Sequence, residues 1–295
     1  MFNQYFGYYL LSKNIITKEK LKFVLSDENK TRVKLGVLAI DAGYMTSSEV
    51  TEIHKMQMAQ DRRFGDLAVE KGFLSEDQLM LLLSKQKESH TTLGQVLVDE
   101  NIMNYEDYEQ LLIQYKKDSG FSDEEIKILK SNDSDAILEL FIDMENTDEV
   151  KLFKDYVELF IRNIIRFVDR NVVIGKPYLA EAYTYENHAV QDIVGFYALS
   201  TGLSASDEVI ANFATIYAHM LISEVNELAK DAIGEFMNCQ NGLFISNLYH
   251  KGINCNLEPQ DYKEKGIITS QNKLFVLPCE LTFGKFDILF NIKGV

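Results

Sequence analysis

The sequence predicts a multidomain protein. An all-α N-terminal domain of helical-hairpin repeats precedes an α+β domain, an antiparallel sheet with its long helices on one face. Three observations predict this. An aromatic residue or leucine followed by glycine recurs at Phe6-Gly7, Leu35-Gly36, Phe64-Gly65 and Leu93-Gly94, each glycine 29 residues after the last. From residue 149 that period stops, and β-rich segments alternate with helical ones. A chain of 295 residues is also longer than one small core requires.

Each repeat reads as a short helix, a turn and a second helix. In the third, the short helix is expected over Leu67 to Lys71 with Gly72 as the turn; Gly43 is the turn of the second. N-cap candidates stand ten residues past each glycine, at Thr17, Thr46, Ser75 and Asn104. Glu49, Gln78 and Asp107 stand three residues beyond the last three of these, the spacing of a capping box. Leu79, Leu82 and Leu83 give the second helix of the third unit an apolar face. One hairpin cannot bury such a face alone, whereas four stacked hairpins can. The array occupies residues 1–118.

A helical connector follows over residues 119–147. Ser122 and Glu125 frame a helix through Leu129, and Ser131-Asn-Asp-Ser-Asp135 interrupts it. Ala136 to Met144 is apolar, and Glu145-Asn-Thr-Asp148 reads as a linker and N-cap. The last domain spans 148–295. It opens on an amphipathic helix carrying Leu152, Phe153, Tyr156, Val157, Phe160, Ile161, Ile164, Ile165 and Val168. Strands are expected over Tyr178–Tyr185 and Val190–Leu199, and helices over Asp207–Met220 and Ser223–Gly242. Strands over Leu274–Leu277, Cys279–Phe283 and Phe286–Ile292 close the chain, with Gly284-Lys285 as the hairpin turn.

Composition narrows the function. A formal charge of −15 argues against a phosphate-coated partner such as nucleic acid. The N-terminus lacks the basic and apolar regions of a signal peptide, and no stretch approaches the roughly 18 to 20 apolar residues of a membrane span. Cys239, Cys255 and Cys279 are odd in number and lack CxxC spacing, so reduced thiols and a cytoplasmic location are expected. Cys239 is expected to be buried or inert. His54, His90, His188, His219 and His250 are scattered, with no ligand spacing, and no metal site is expected.

The N-terminal array resembles the N-terminal domain of type II secretion and pilus ATPases, the GspE/MshE N-terminal family, some of whose members bind cyclic di-GMP. That unit begins with Arg-Leu-Gly and ends in Gln about twenty residues after the glycine. The third unit matches from Arg63-Phe64-Gly65 to Gln86, and the second from Lys34-Leu35-Gly36 to Gln57. Tyr5 and Thr92 hold the Arg position of the outer units, and Glu28 and Tyr115 the Gln position. The resemblance implies cyclic di-GMP binding by Lys34, Gln57, Arg63 and Gln86. An Arg fork clamps phosphate or a guanine edge and Gln bonds a base, whereas Lys supplies charge without the fork. The alternative is that these are scaffold residues of a docking module.

On a helix, Asp231, Glu235 and Asn238 fall within roughly 60° of one another, while Val225, Ala229, Ala232, Ile233 and Phe236 cluster roughly 140° away. Taken alone, the triplet reads as a solvated polar face. Its surroundings say more. Gly175-Lys-Pro-Tyr-Leu179, Val194-Gly-Phe-Tyr-Ala-Leu-Ser200, Asp231-x-x-x-Glu235-x-x-Asn238 with Pro259, and Leu281-Thr-Phe-Gly-Lys-Phe-Asp287 occur in that order. The C-terminal half is similar to the CheX subfamily of the CheC/CheX/FliY chemotaxis phosphatases. The resemblance implies a phosphatase for the aspartyl phosphate of a CheY-like response regulator. Asn238 would aim water, Glu235 would pair with a regulator lysine, and Asp231 would support them. It also implies a homodimer, and no cofactor of the chain's own, Mg²⁺ being supplied by the partner regulator. The competing expectation is a non-catalytic adaptor for receiver or flagellar-switch-like proteins.

Overall fold

A computed structural model describes residues 2–25, 33–88, 93–131, 133–145 and 147–294. Glu28 and Thr92 lie outside them. The chain divides into two compact units, Phe2–Lys127 and Ile128–Val295, the break falling inside a helix at Asp123–Ser131.

The N-terminal unit is helical: α1 (Phe2–Ser12), α2 (Lys18–Leu25), α3 (Leu35–Asp41), α4 (Ser47–Gln60), α5 (Phe64–Glu70), α6 (Glu76–Glu88), α7 (Leu93–Asp99), α8 (Tyr105–Ser119) and α9 (Asp123–Ser131). The short helix expected over Leu67 to Lys71 begins earlier, at Phe64, so that Gly65 lies in its first turn. Close packing explains why. A Cβ on Gly7, Gly36, Gly65 or Gly94 would lie 2.5, 2.7, 2.7 and 2.3 Å from side-chain atoms of Leu21, Val50, Leu79 and Tyr108 respectively. Each partner stands fourteen positions later, on the second helix of the same pair. Glycine is therefore the point at which two helices touch. Asn14, Gly43, Gly72 and Asn101 take left-handed backbone (φ 56°, 69°, 74° and 54°) and end the first helix of each pair. The second helices start on side-chain caps. Thr46 with Glu49, and Asn104 with Asp107, form reciprocal capping boxes, and Ser75 pairs with Gln78 in the same way.

The C-terminal unit contains α10 (Ser134–Phe141), α11 (Asp148–Phe167), β1 (Val173–Ile174), β2 (Tyr178–Gly195), β3 (Ala198–Ala205), α12 (Asp207–Tyr217), α13 (Glu227–His250), β4 (Cys255–Leu257), β5 (Asp261–Leu281) and β6 (Gly284–Gly294). The strands are antiparallel in the order β1-β5-β6-β3-β2-β4, and β5 also pairs with β2, closing β2, β3, β6 and β5 into a ring. It is an α+β fold. Alternation along β5 and β6 divides the core. Phe275 and Phe290 meet Phe153 of α11 at 4.7 and 5.8 Å between ring centroids. Leu274, Val276 and Leu289 face the other way, onto Ala180, Tyr183 and Ile268. The helices thus cover one face and the long β2/β5 ribbon covers the other.

Four expected boundaries move. The strands over Tyr178–Tyr185 and Val190–Leu199 become a continuous β2 and a separate β3, because Asn187 to Ile193 pairs β3 on one side while Asn187 to Val190 also pairs β5 on the other. The second long helix starts at Glu227 and runs to His250, leaving Val225 outside it. The three closing strands are two, since Leu274–Leu277 and Cys279–Phe283 belong to one β5. The turn between β5 and β6 falls at Thr282-Phe283 and not at Gly284-Lys285. Asp169 holds it there, accepting from Thr282 N at 2.7 Å and Thr282 Oγ1 at 2.8 Å. Gly284 (φ 151°) then passes Val209 so closely that a Cβ would sit 2.3 Å from its Cγ2.

Two substitutions of glycine by alanine are expected to have opposite signs in urea unfolding of the full chain. Gly94→Ala drives a methyl into the buried Tyr108 ring and costs about 1–3 kcal/mol. Gly242→Ala, inside α13 with nothing within 4 Å, gains about 0.5–1 kcal/mol.

Burial holds His188 down to about 4, below its ordinary 6.5, so it is neutral in the fold. The unfolded chain takes up that proton first, so stability is present above pH 6.5 and falls as pH drops from 6.5 towards 4. His188→Gln is expected to flatten the slope of unfolding free energy against pH in that window by up to one proton. Parallel slopes for the two proteins would contradict it.

Candidate active site on helix α13

Helix α13 is capped by Asn226, whose side chain accepts from Ala229 N at 3.0 Å. Its buried stripe runs through Ala229, Ala232, Ile233, Phe236, Met237, Gln240, Asn241, Phe244 and Leu248. Phe236 anchors it, with ring centroids 5.3, 5.0 and 5.5 Å from Phe160, Phe213 and Tyr217. That packing turns Asp231, Glu235 and Asn238 outward, and all three are exposed. Among the described residues the side chains of Asp231 and Glu235 have no hydrogen bond or ion pair. Cys239, expected to be buried or inert, is exposed, because it follows Asn238 by one 100° step on the outer face.

Beneath Asn238 lies a chain of polar groups. Asn238 Oδ1 accepts from Gln191 Nε2 at 3.0 Å, and Gln191 Nε2 also donates to Glu258 O at 2.9 Å. Gln191 Oε1 accepts from Asn241 Nδ2 at 2.9 Å. Asn241 Oδ1 accepts from Tyr156 Oη at 3.0 Å and lies 3.1 Å from Thr201 Oγ1. Gln191, Asn241 and Thr201 are buried. Strand β4 sets Glu258 in place, since Leu257 pairs with Ile193 and Glu258 N donates to Asp192 O at 3.0 Å. Gln191, Asn238, Leu257, Glu258, Pro259 and Gln260 line an open cleft of about 460 Å³. The cleft thus begins where the Asn238 carboxamide ends.

Sequence reasoning missed two residues here. Gln191 is one; its signal is a glutamine inside the buried run Asn187 to Gln191. Tyr217 is the other. Its phenol is raised above the ordinary range, first by burial and then by the acidic side chains of Cys239 and Glu235 beside it. The arrangement offers an unpaired carboxylate and an oriented carboxamide. It can bind a cation, hold a water and donate to an anion. Among the described residues no three His, Cys, Asp or Glu side chains converge as a metal set, and no helix is long and apolar enough to cross a membrane.

The four residues expected to bind a nucleotide lie in the N-terminal unit, and the structure brings two together. Lys34 and Gln57 line a cleft of about 650 Å³ with His54, Arg62, Asp99 and Tyr105. Lys34 Nζ pairs there with Asp99 at 2.6 Å. Arg63 is the exposed N-cap residue of α5, and Gln86 Nε2 bonds Val33 O, both outside this cleft. The adjacent arginine, Arg62, reaches it while pairing with Glu70 at 2.6 Å.

No family model matches the chain, and no curated protein matches it. Solved structures similar to it are CheX-, CheC- and FliY-like chemotaxis proteins aligned with its C-terminal half. A chemotaxis protein CheX from Desulfovibrio desulfuricans is 17% identical over 48% of this chain and 99% of its own, with a TM-score of 0.43. A CheC-like superfamily protein from Shewanella sp. PV-4 is 16% identical over 49% and 99%, with a TM-score of 0.45. The CheX–CheY–BeF3–Mg complex from Borrelia burgdorferi aligns at 16% identity over 48% and 98%, with a TM-score of 0.40.

Proposed function

We propose that the C-terminal unit hydrolyses the aspartyl phosphate of a CheY-like response regulator, in chemotaxis or related two-component signalling. The N-terminal unit is then its regulatory or docking module. One observation carries the reading: Asn238, fixed from below, lines an open cleft, and an exposed Glu235 stands one helical turn away on the same helix. The motif resemblance supports it. An aspartyl phosphate is a mixed anhydride, already activated, so it requires a placed water more than a new nucleophile. The water oxygen bonds to phosphorus, the bond from phosphorus to the aspartyl oxygen breaks, and inorganic phosphate leaves carrying the water's hydrogens. Asn238 orients that water. Glu235, unpaired in the free protein, binds a cation of the regulator, whose Mg²⁺ neutralises the phosphoryl oxygens.

The test is the decay of a phosphorylated receiver. Asn238→Ala is expected to lower kcat by about 10²-fold. Glu235→Ala is expected to raise KM by at least about tenfold, as for truncating one side of a buried charge pair. Unchanged decay with wild type across several receivers rejects hydrolysis and leaves a receiver-binding adaptor.

A second reading is favoured by one observation, the meeting of Lys34 and Gln57 in the N-terminal cleft. In it, this unit senses cyclic di-GMP. The Lys34–Asp99 pair must open for the ligand phosphate. Calorimetry of the full chain with cyclic di-GMP should give heat that Lys34→Ala abolishes, and no heat from wild type removes the idea.

A further inference from the structure

We propose that Gln191 is the positioning residue of this site. It decides which way round the Asn238 carboxamide sits, so that Asn238 offers the cleft both hydrogens of Nδ2 and a single free lone pair on Oδ1. The proposal deepens the phosphatase reading and rests on it for its catalytic consequence, although the orientation itself does not.

A carboxamide has two ends of nearly equal shape, one a double donor and the other an acceptor, and turning it over exchanges them. Five side-chain contacts remove that freedom. The Glu258 carbonyl can only accept, so the Gln191 atom 2.9 Å from it must be Nε2. That carbonyl cannot drift, because Glu258 N is bonded to Asp192 O on the same strand as Gln191. The second Nε2 hydrogen is then directed at Asn238, 3.0 Å away, which must answer with Oδ1. An Asn238 turned over would set one amino group against another. At the other end, Gln191 Oε1 faces Asn241 Nδ2, which leaves Asn241 Oδ1 towards Tyr156 Oη and Thr201 Oγ1. Tyr156 is wholly enclosed, and burial keeps its phenol protonated and able to donate. The Glu258 carbonyl therefore dictates one polarity along the whole chain, and the hydroxyls, able to donate or accept, follow it. Gln191 is 2% exposed, so bulk water does not compete for its bonds.

The chemical result concerns the cleft. Two outward N–H groups suit an anionic phosphoryl oxygen, and one remaining lone pair suits one hydrogen of the attacking water. A turned-over Asn238 would present both lone pairs of Oδ1 and at most one hydrogen of Nδ2, and would hold the same anion less well.

Gln191→Glu tests this with little change of shape. Whether ionised or protonated towards the Glu258 carbonyl, a glutamate here still accepts from Asn241 Nδ2 and turns an acceptor oxygen to Asn238, so Asn238 must turn Nδ2 inward. Side-chain amide exchange, followed by NMR on the ¹⁵N-labelled full chain, reads the orientation without any substrate. In wild type the Gln191 Nε2 hydrogens should exchange slowly and those of Asn238 Nδ2 fast, and in Gln191→Glu the Asn238 hydrogens should become protected. Protected Asn238 hydrogens in wild type, or no change in the variant, overturn the proposal.

The kinetic arm uses receiver dephosphorylation. Gln191→Glu and Gln191→Leu are expected to lower kcat by about 10- to 100-fold at unchanged KM. Asn163→Leu breaks the neighbouring buried bond to Gln240, which does not reach Asn238, and should leave kcat of the folded protein unchanged. An equal loss in all three variants assigns Gln191 a structural role only. Absent activity in wild type rejects the phosphatase reading, while the exchange data still decide the orientation.

Discussion

Tyr156 places a hydroxyl inside an aromatic core, and the requirement that this hydroxyl be satisfied organises the C-terminal unit. Its ring packs on Phe160, Phe244 and Phe290 at 5.9, 5.1 and 5.1 Å, joining α11, α13 and β6. A buried hydroxyl without a partner costs roughly 1–3 kcal/mol, so something polar must reach in. Asn241 does, from α13. Burying Asn241 creates the same demand at its other end, which Gln191 meets, and Gln191 in turn is completed by Glu258 O and Asn238. Each step towards the surface satisfies the group before it. The exposed Asn238 is the end of a sequence of obligations that starts in the core.

The rigidity of the site follows from this geometry. Helix α13 is held by Phe236 on its apolar side and by the carboxamides on its polar side, so neither sliding nor rotation is free. Apart from that set, Asn163 Nδ2 donates to Gln240 Oε1 at 2.6 Å between α11 and α13, a bond that does not reach Asn238. The proposed hydrolysis, with no nucleophile on this chain, would depend on placement, which the Phe236 contacts and the Gln191 bonds supply.

How much was legible in the sequence depended on whether the signal was local. The 3.6 period from Leu152 to Val168, the caps at Thr46, Ser75 and Asn104, and the glycines at period 29 are written within a few residues of where they act. Gly94 meets Tyr108 only fourteen residues away. Strand β5 was legible only from Leu274, where apolar residues begin. Its first half, Asp261 to Lys273, is polar and is a strand because β2 lies beside it. The turn at Thr282-Phe283 is held by Asp169, over a hundred residues earlier, so Gly284-Lys285 looked the better turn locally. The candidate site divided in the same way. Spacing put Asp231, Glu235 and Asn238 on one face and left that face indistinguishable from solvated surface, and only the flanking motif resemblance gave it a role. Gln191 and Tyr217 come from other elements, and no spacing rule connects them to α13.

Charge completes the account of what the site selects. The chain carries −15 overall, and Asp231 and Glu235 add two unpaired carboxylates on the exposed face of the helix that brings Asn238 to the cleft. Lys230, the nearest cation along the helix, is already bonded to Glu227 at 3.2 Å and Glu264 at 2.8 Å. A free phosphate ion approaching this face meets like charge with little to offset it. A phosphorylated protein that brings its own lysine and metal ion meets complementary charge and supplies the neutralisation that the cleft lacks. If the proposed reading holds, such a site would disfavour the bare anion and accept the same phosphoryl group when a partner presents it. On the proposed reading, a strongly acidic surface can serve phosphoryl hydrolysis because the positive charge would come with the receiver and the directing amide from this chain.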